Sequence, residues 1–368
     1  MVDTEFAFSG AIGQVLRAHF ERDCRSAVLS HVFRAYYLMR PCLPAFLRQR
    51  LQRSRNAGLS CPSDWYIPVD FLSDLSEALA QDVNAHSTAG GVQMSGHSVI
   101  HPWPDECQLA VSLTHDIETQ AGLRRALSIA KIEQELGIRS AWYLVPHCYP
   151  IDLGIINELR AMGHEIGIHG YNHDGRLFIA KKIFDSRIGP INEAGIRYQA
   201  SGFRSPMVHR NMQWMQALEF DYDASCFDVD PFQAMPGGIG GVWPFMAGKL
   251  VELPYTLPQD HTLMVTLGVS AYDVWVKKLD LIKSLSGLGM LITHPDYLDS
   301  PQRQQEYQRF CEHVASLPHK WLALPREIAS WWRQRQASTI QADGTLTGPA
   351  SERGRVVSLP SLFGSFSE

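Results

Sequence analysis

The chain lacks the features of an exported, disulfide-rich protein and of a protein that spans a membrane. Its seven cysteines are an odd number and include no C-x-x-C pair, so neither a disulfide framework nor a thiolate zinc site is favoured. No apolar run approaches the ~20 residues that a transmembrane helix needs. Residues 1–5 show no basic stretch followed by an apolar one, so we expect no secretory signal and a cytoplasmic protein.

The charge balance excludes a further class of partner. With 33 Lys and Arg against 38 Asp and Glu, the formal net charge is −5, which gives no general attraction to nucleic acid. We therefore predict no nucleic-acid partner. The length of 368 residues, 45% of them hydrophobic, allows one barrel-sized α/β domain with additional segments, or two domains.

Between residues 106 and 336, short apolar runs typical of strands alternate with segments of helical spacing. The predicted strands cover residues 109–114, 140–145, 165–168, 200–203, 250–255, 290–293 and 321–324. The predicted helices cover residues 121–136, 153–162, 176–198 with a break near Gly189 and Pro190, 272–285, 302–317 and the segment from 326 onward. The short connections favour parallel strands with helical crossovers, arranged as a barrel or as an open sheet.

The segments on either side have a different character. Residues 1–105 form a mainly helical extension, with helices predicted around 11–20 and 26–38 and a loop or linker over 84–97. The basic and aromatic stretch at 33–55 has two interpretations, an arm packed on the main domain or a peripheral contact with an anionic membrane or another partner. Residues 337–368 are rich in Ser, Gly and Thr, and we predict a flexible tail.

Four residues with metal-binding or catalytic side chains follow two of the predicted strands. Asp116 and Glu118 lie two residues apart, a spacing that points both carboxylates to the same face of a strand. His169 and His173 follow another strand. Two histidines and one carboxylate fill three positions of a zinc-type ion and leave a fourth for water, while the second carboxylate is free to act as a base. The sequence therefore predicts a metal-dependent hydrolase.

These residues belong to an ordered set of five short motifs. The set is THDIE at 114–118, HGYNH at 169–173, RSP at 204–206, DAS at 223–225 with Asp228 just beyond, and LITH at 291–294. In this order the motifs resemble those of the polysaccharide deacetylase, or NodB-homology, family. The resemblance covers residues 106–336 and implies a distorted (β/α)7-type barrel, an α/β fold that here follows an N-terminal helical extension.

The resemblance also implies a role for each motif residue. Glu118, His169 and His173 would bind a divalent metal ion, with Zn²⁺ expected, and Asp116 would be the catalytic base. Arg204 would pair with Asp116, His294 would be the general acid, and the backbone N–H of Met207 would stabilise the oxyanion. Asp223 or Asp228 would orient His294; the sequence leaves that choice open.

The motifs depart from the family pattern at several positions. The first motif has His115 and Ile117 around Asp116 and a glutamate, Glu118, as the second acid. By strand alternation His115 faces away from Asp116, toward a helix. Gly170 replaces the usual Ser or Thr of the second motif, and Met207 replaces the tyrosine of the third.

The implied activity is removal of an N-acetyl group from an acetylated amino sugar, with a small-molecule or glycan precursor of a surface polysaccharide or glycoconjugate as substrate. Two alternatives remain: hydrolysis of a non-sugar C–N amide at the same site, and a catalytically dead carbohydrate-binding protein. Asp260 and His261, which follow a predicted strand, would either contact sugar hydroxyls or cap their loop.

Overall fold

The computed structural model describes residues 2–25, 27–56, 69–87 and 98–363. The strands are Thr4–Glu5 (β1), Ser98–Ile100 (β2), Leu109–Ile117 (β3), Ala141–Leu144 (β4), Glu165–His169 (β5), Gly202–Arg204 (β6), Tyr222–Asp223 (β7), Phe245–Ala247 (β8), Leu250–Glu252 (β9), Leu288–Thr293 (β10), Lys320–Leu322 (β11), Thr339–Ile340 (β12), Leu346–Thr347 (β13) and Val356–Ser358 (β14). The helices are Gly10–His19 (α1), His31–Met39 (α2), Ala45–Asn56 (α3), Val69–Ser87 (α4), Gln120–Glu135 (α5), Leu153–Ala161 (α6), Lys181–Arg197 (α7), Met212–Met215 (α8), Ala271–Ser284 (α9), Pro301–Ser316 (α10), Pro325–Gln336 (α11) and Leu359–Leu362 (α12).

The main sheet is a distorted barrel, which confirms the predicted fold class. Strands β10, β3, β4, β5, β6, β7 and β9 pair in that order and are all parallel. The extended segment after β9 continues to β10, where Leu257 forms a parallel bridge with Leu291. Antiparallel strands β8 and β1 extend the sheet beyond β9.

Local signals explain most helix boundaries. The side chain of Thr119 accepts a hydrogen bond from the Gly122 N–H and caps α5, which ends just before Gly137 at φ 68°. The predicted break near Pro190 is wrong, because α7 continues through that proline. The buried side chains of Phe184 and Ile191 pack on the core on both sides of it, and this packing outweighs the hydrogen bond that a proline cannot donate.

Two large tyrosines fill the barrel interior, and two glycines make room for them. A Cβ atom added to Gly202 would lie 1.9 Å from Cζ of Tyr222, and one added to Gly167 would lie 2.5 Å from Cδ1 of Tyr143. The two hydroxyls are 2.8 Å apart, and the Tyr222 hydroxyl donates to Oε1 of the buried Glu165 at 2.7 Å. The interior is therefore packed with polar-tipped rings rather than with aliphatic layers alone.

The C-terminal segment is not the flexible tail that we predicted, at least as far as residue 363. Strand β14 pairs with β2, and β12 pairs with β13 in a small hairpin. Phe363 is 2% exposed, and its ring contacts the rings of Phe8 and Trp243 at centroid distances of 5.6 and 6.0 Å. The prediction failed because the segment is rich in Ser, Gly and Thr, and the few apolar residues that attach it, such as Phe363, gave no periodic signal. Residues 364–368 lie outside the described part of the chain.

The N-terminal extension packs on the barrel. Strand β1 joins the sheet, and Tyr37 of α2 packs in a buried cluster with Leu29 and Met235. Of the predicted linker at 84–97, the first four residues continue helix α4, and residues 88–97 lie outside the described residues. A peripheral membrane contact through residues 33–55 stays a prediction.

A search of the described helices for a membrane-crossing segment finds none of sufficient length and apolar character.

The packing of Phe363 gives a stability test. Changing Phe363 to Ala should lower the free energy of unfolding by about 3 kcal/mol, because it leaves a cavity between Phe8 and Trp243. Denaturant titration measures the change. Ile196, which is 75% exposed, is the control: Ile196→Ala should change stability by less than about 0.5 kcal/mol. If Phe363→Ala left the free energy of unfolding unchanged, the C-terminal segment would be flexible, as the sequence predicted.

Glu165 gives a test based on pH. Burial raises the pKa of this carboxyl to about 7, above the ~4.3 of an unfolded chain. The folded state therefore holds the proton more tightly, so the group's contribution to stability is greatest below pH ~4 and is lost as the pH rises to about 7. Glu165→Gln should remove this decline, which amounts to roughly 4 kcal/mol at most. Parallel pH profiles of unfolding for the two proteins would contradict this.

Candidate active site

The barrel brings the predicted metal ligands, the base and the acid together at one edge. Parallel strands place their C-terminal ends on the same face of a barrel, and each of these residues lies at or just after such an end. Strand β3 contains Asp116, and Glu118 directly follows the end of that strand. Strand β5 contains His169, and His173 lies in the loop that follows. Strand β6 contains Arg204, and His294 follows β10.

Glu118, His169 and His173 form a three-donor set. One ligand atom from each lies within 4.8 Å of the others, and Nε2 of His173 lies 2.9 Å from Oε1 of Glu118. The Nδ1 atom of His169 is 3.1 Å from the carbonyl oxygen of Arg204, which leaves Nε2 of that ring for the site. Two imidazoles and one carboxylate fit a zinc-type ion.

The electrostatics suit metal binding by His169 and Glu118. Burial lowers the pKa of His169 to about 4, so the ring is neutral, as a metal ligand must be. Burial by itself would raise the pKa of Glu118, but the neighbouring histidines, His173 first, hold that pKa well below its usual range. Both groups therefore have the protonation state that ligation requires.

Asp116 is held as a carboxylate by a buried arginine. Nη1 of Arg204 donates to Oδ1 of Asp116 at 2.8 Å and to Oγ1 of Thr114 at 2.9 Å, and Nε donates to the carbonyl of Ala224 at 3.0 Å. The guanidinium also lies 4.3 Å from the centre of the Tyr143 ring. Burial raises the pKa of Asp116, but Arg204, with the nearby histidines, lowers it by more, so the net shift is downward.

Asp260 is the carboxylate that positions His294. Its Oδ1 accepts from Nδ1 of His294 at 2.7 Å, and its Oδ2 accepts from the His294 backbone N–H at 2.7 Å. Burial lowers the pKa of His294, but Asp260 more than offsets that effect and the result is a pKa of about 10. His294 is therefore a protonated ring whose Nε2 lies 3.7 Å from Oε1 of Glu118.

The prediction that Asp223 or Asp228 orients His294 is therefore wrong. Asp223 accepts hydrogen bonds from the hydroxyl and the backbone N–H of Ser225, and Asp228 lies 2.6 Å from Nζ of Lys278. Both carboxylates are therefore engaged with these neighbours. No local sequence signal separates the three aspartates, because the choice depends on the bridge between Leu257 and Leu291, which carries Asp260 to the end of β10.

The tentative assignment of Asp260 to substrate binding is also wrong, because its side chain is fully buried beneath His294. His261 is half-buried, and its ring lies 4.8 Å from that of Tyr297. Burial lowers the pKa of His261, so the ring is neutral. Its contact with substrate stays a prediction.

Met207 lies in the short turn Pro206–Val208, just beyond Arg204 and at φ 54°. A positive φ at a residue other than glycine is uncommon, and it is frequent at functional turns. The role of its N–H stays a prediction.

His115 faces away from Asp116, as strand alternation predicts. Its Nε2 lies 2.9 Å from Oε1 of the buried Glu133 in α5, and its Nδ1 lies 2.8 Å from Oγ1 of Thr293. Tyr307 of α10 also donates to Glu133. This network joins α5 and α10 to strand β3, which contains Asp116, and to strand β10, which ends just before His294.

Comparison with known proteins places this geometry in a known fold. No family model and no curated protein matches the sequence. A solved structure described as a polysaccharide deacetylase from Mycobacterium smegmatis matches with a TM-score of 0.52 at 20% identity, over 64% of this chain and 93% of that one. The chain has the polysaccharide deacetylase fold. A second match with this fold, Puue allantoinase, has a TM-score of 0.51 at 16% identity, over 67% of this chain and 97% of that one.

The pairing of Asp260 with His294 can be tested without an activity assay. In the metal-free protein, Asp260→Asn should lower the pKa of His294 from about 10 toward or below the ordinary ~6.5, because an amide carries no negative charge. An NMR pH titration of the ring nitrogens measures it. Asp223→Asn is the matched control and should leave this pKa unchanged. A larger shift from the control would return the assignment to Asp223.

Proposed function

We propose that this protein is a metal-dependent hydrolase that removes the N-acetyl group of an acetylated amino sugar. One observation carries the proposal: a three-donor metal set lies beside an arginine-paired carboxylate and a protonated histidine. These are the groups that amide hydrolysis needs, namely a metal, a base and an acid.

Glu118, His169 and His173 would hold the metal, for which we propose Zn²⁺. Bound there, a divalent ion supplies Lewis acidity toward a carbonyl oxygen and makes water more acidic. Asp116 accepts a proton from the attacking water, because Arg204 keeps it ionised and fixes its direction. The water oxygen bonds to the acetamide carbonyl carbon, and the N–H of Met207 donates to the developing oxyanion.

The acid half of the reaction belongs to His294. Cleavage of the C–N bond leaves an amine that needs a proton, and His294 holds one because Asp260 stabilises the charged ring. The products are acetate and the free amino sugar. Before the reaction the base is therefore deprotonated and the acid protonated. The buried pair of Asp116 with Arg204 maintains the first state, and the pair of His294 with Asp260 maintains the second.

The fold likeness to a protein described as a polysaccharide deacetylase supports the sugar substrate. A second candidate, hydrolysis of a non-sugar C–N amide, is supported by the similar likeness to an allantoinase, whose name denotes action on allantoin. The third interpretation, a dead carbohydrate-binding protein, would call for loss of a catalytic group; the presence of Asp116, Arg204, His294 and the three metal-type donors argues against it.

A substrate panel tests the proposal. The zinc-loaded protein should release acetate from N-acetylglucosamine or its phosphorylated and nucleotide-linked forms, and should leave allantoin and simple N-acetyl amines intact. Turnover of allantoin or of the non-sugar amides alone would favour the second candidate. No turnover of any member would favour the dead binding protein.

The metal set gives a compositional prediction. Purified protein should contain one divalent ion per chain by elemental analysis, and His173→Ala should lose it because two remaining donors bind weakly. The exposed His31 provides the control, and His31→Ala should keep the metal. Equal metal content in the two variants would refute the assignment.

The base gives a kinetic prediction. Asp116→Asn should lower kcat by about 10³-fold, within the range for loss of a general base, and should retain the metal because Asp116 is not one of the three ligands. Acetate release and elemental analysis on the same sample measure both effects. Loss of the metal together with activity would make Asp116 a ligand rather than the base.

A further inference from the structure

The N-terminal arm, residues 27–56, lies over the catalytic face of the barrel. It contacts the loops that follow three successive strands, β5, β6 and β7. Tyr37 packs against Gly175, where an added Cβ would lie 2.3 Å from the ring, and its ring lies 4.8 Å from that of His209. Arg55 donates to the carbonyls of Phe232 and Gln233 at 2.8 and 2.9 Å.

Arg40 is the arm residue that reaches the metal site. Its Nη1 donates to the backbone carbonyl of His173, one of the three proposed metal ligands, at 2.8 Å. Arg40 therefore places a positive charge at the mouth of the site.

This charge lacks a partner of opposite sign. In the part of the chain that the structure describes, no carboxylate lies within ion-pair distance of Arg40, which is half-buried. The acidic groups at the mouth are engaged elsewhere: Glu118 with the histidines, and Asp296 with the backbone N–H of Glu118 and the hydroxyl of Thr119. A guanidinium has five N–H donors, and one neutral carbonyl satisfies only one of them.

Planar guanidinium donors match the paired oxygens of phosphate and carboxylate. We propose that Arg40 binds an anionic group, phosphate or carboxylate, on the N-acetylated substrate, and that the arm restricts the site to small charged substrates rather than long neutral glycans. This inference rests on the proposed function and specifies its substrate class.

A binding experiment tests the inference separately from catalysis. The full-length, zinc-loaded protein carries Asp116→Asn to prevent turnover, and calorimetry gives Kd for three ligands: N-acetylglucosamine, N-acetylglucosamine 6-phosphate and N-acetylmuramic acid. The first is neutral, the second carries a phosphate and the third a carboxylate. At least one charged ligand should bind ten-fold or more tightly than the neutral sugar, and its identity distinguishes the two anions.

Three further substitutions on this background isolate the charge. Arg40→Gln keeps a donor for the His173 carbonyl but removes the charge, so it should abolish the preference for the anion and leave the neutral sugar's Kd within two-fold. Arg40→Lys should retain part of the preference. Arg55→Gln is the matched control, because it removes an arm arginine that also donates to backbone carbonyls, and it should leave the preference unchanged.

Two outcomes would overturn the inference. One is the lack of any preference for a charged ligand before Arg40 is changed. The other is a preference that survives Arg40→Gln, which would assign anion binding to the metal. Failure of the proposed function is a different result, because the chain with Asp116 intact would then release no acetate from any of the three ligands.

Discussion

The buried ion pair between Arg204 and Asp116 is the interaction on which the site depends. The guanidinium of Arg204 is fully buried, joins β6 to β3 through Asp116 and Thr114, and rests on the ring of Tyr143. Its backbone carbonyl also orients His169. One residue thus maintains the charge of Asp116 and the direction of the His169 ring. Because both side chains are buried, removing either one would leave the other as an unpaired buried charge and would lower the stability of the fold.

Two more buried networks extend this arrangement around the barrel edge. Asp260 holds both the ring and the backbone of His294, while His115 lies between Glu133 and Thr293 behind the strands that carry the base and the acid. Their hydrogen bonds fix ring orientation in a way that apolar packing could not, because apolar contacts have no preferred direction. In the mechanism that we propose, this arrangement keeps Asp116 ionised and His294 protonated.

The N-terminal arm adds to a shared fold a segment that lies over the C-terminal ends of the strands. Barrels of this kind present their chemistry at the C-terminal ends of the strands, and the loops and added segments there decide what reaches it. In this chain the arm occupies that face through Tyr37, Arg40 and Arg55. The substrate class that we propose therefore depends on a segment outside the motifs.

The sequence by itself determined most of the barrel's strands and helices, though not strand β7, together with the metal-type donor set and the outward direction of His115. These follow from hydrophobic periodicity, from side-chain chemistry and from the rule that parallel strands end on one face, all of which are local. Tertiary structure alone decided that Asp260, not Asp223 or Asp228, serves His294, that Phe363 anchors the C-terminal segment, and that Arg40 reaches the His173 loop. Those choices depend on where loops and chain ends pass after the sheet closes, and contacts between residues so far apart leave no periodic signal in the chain.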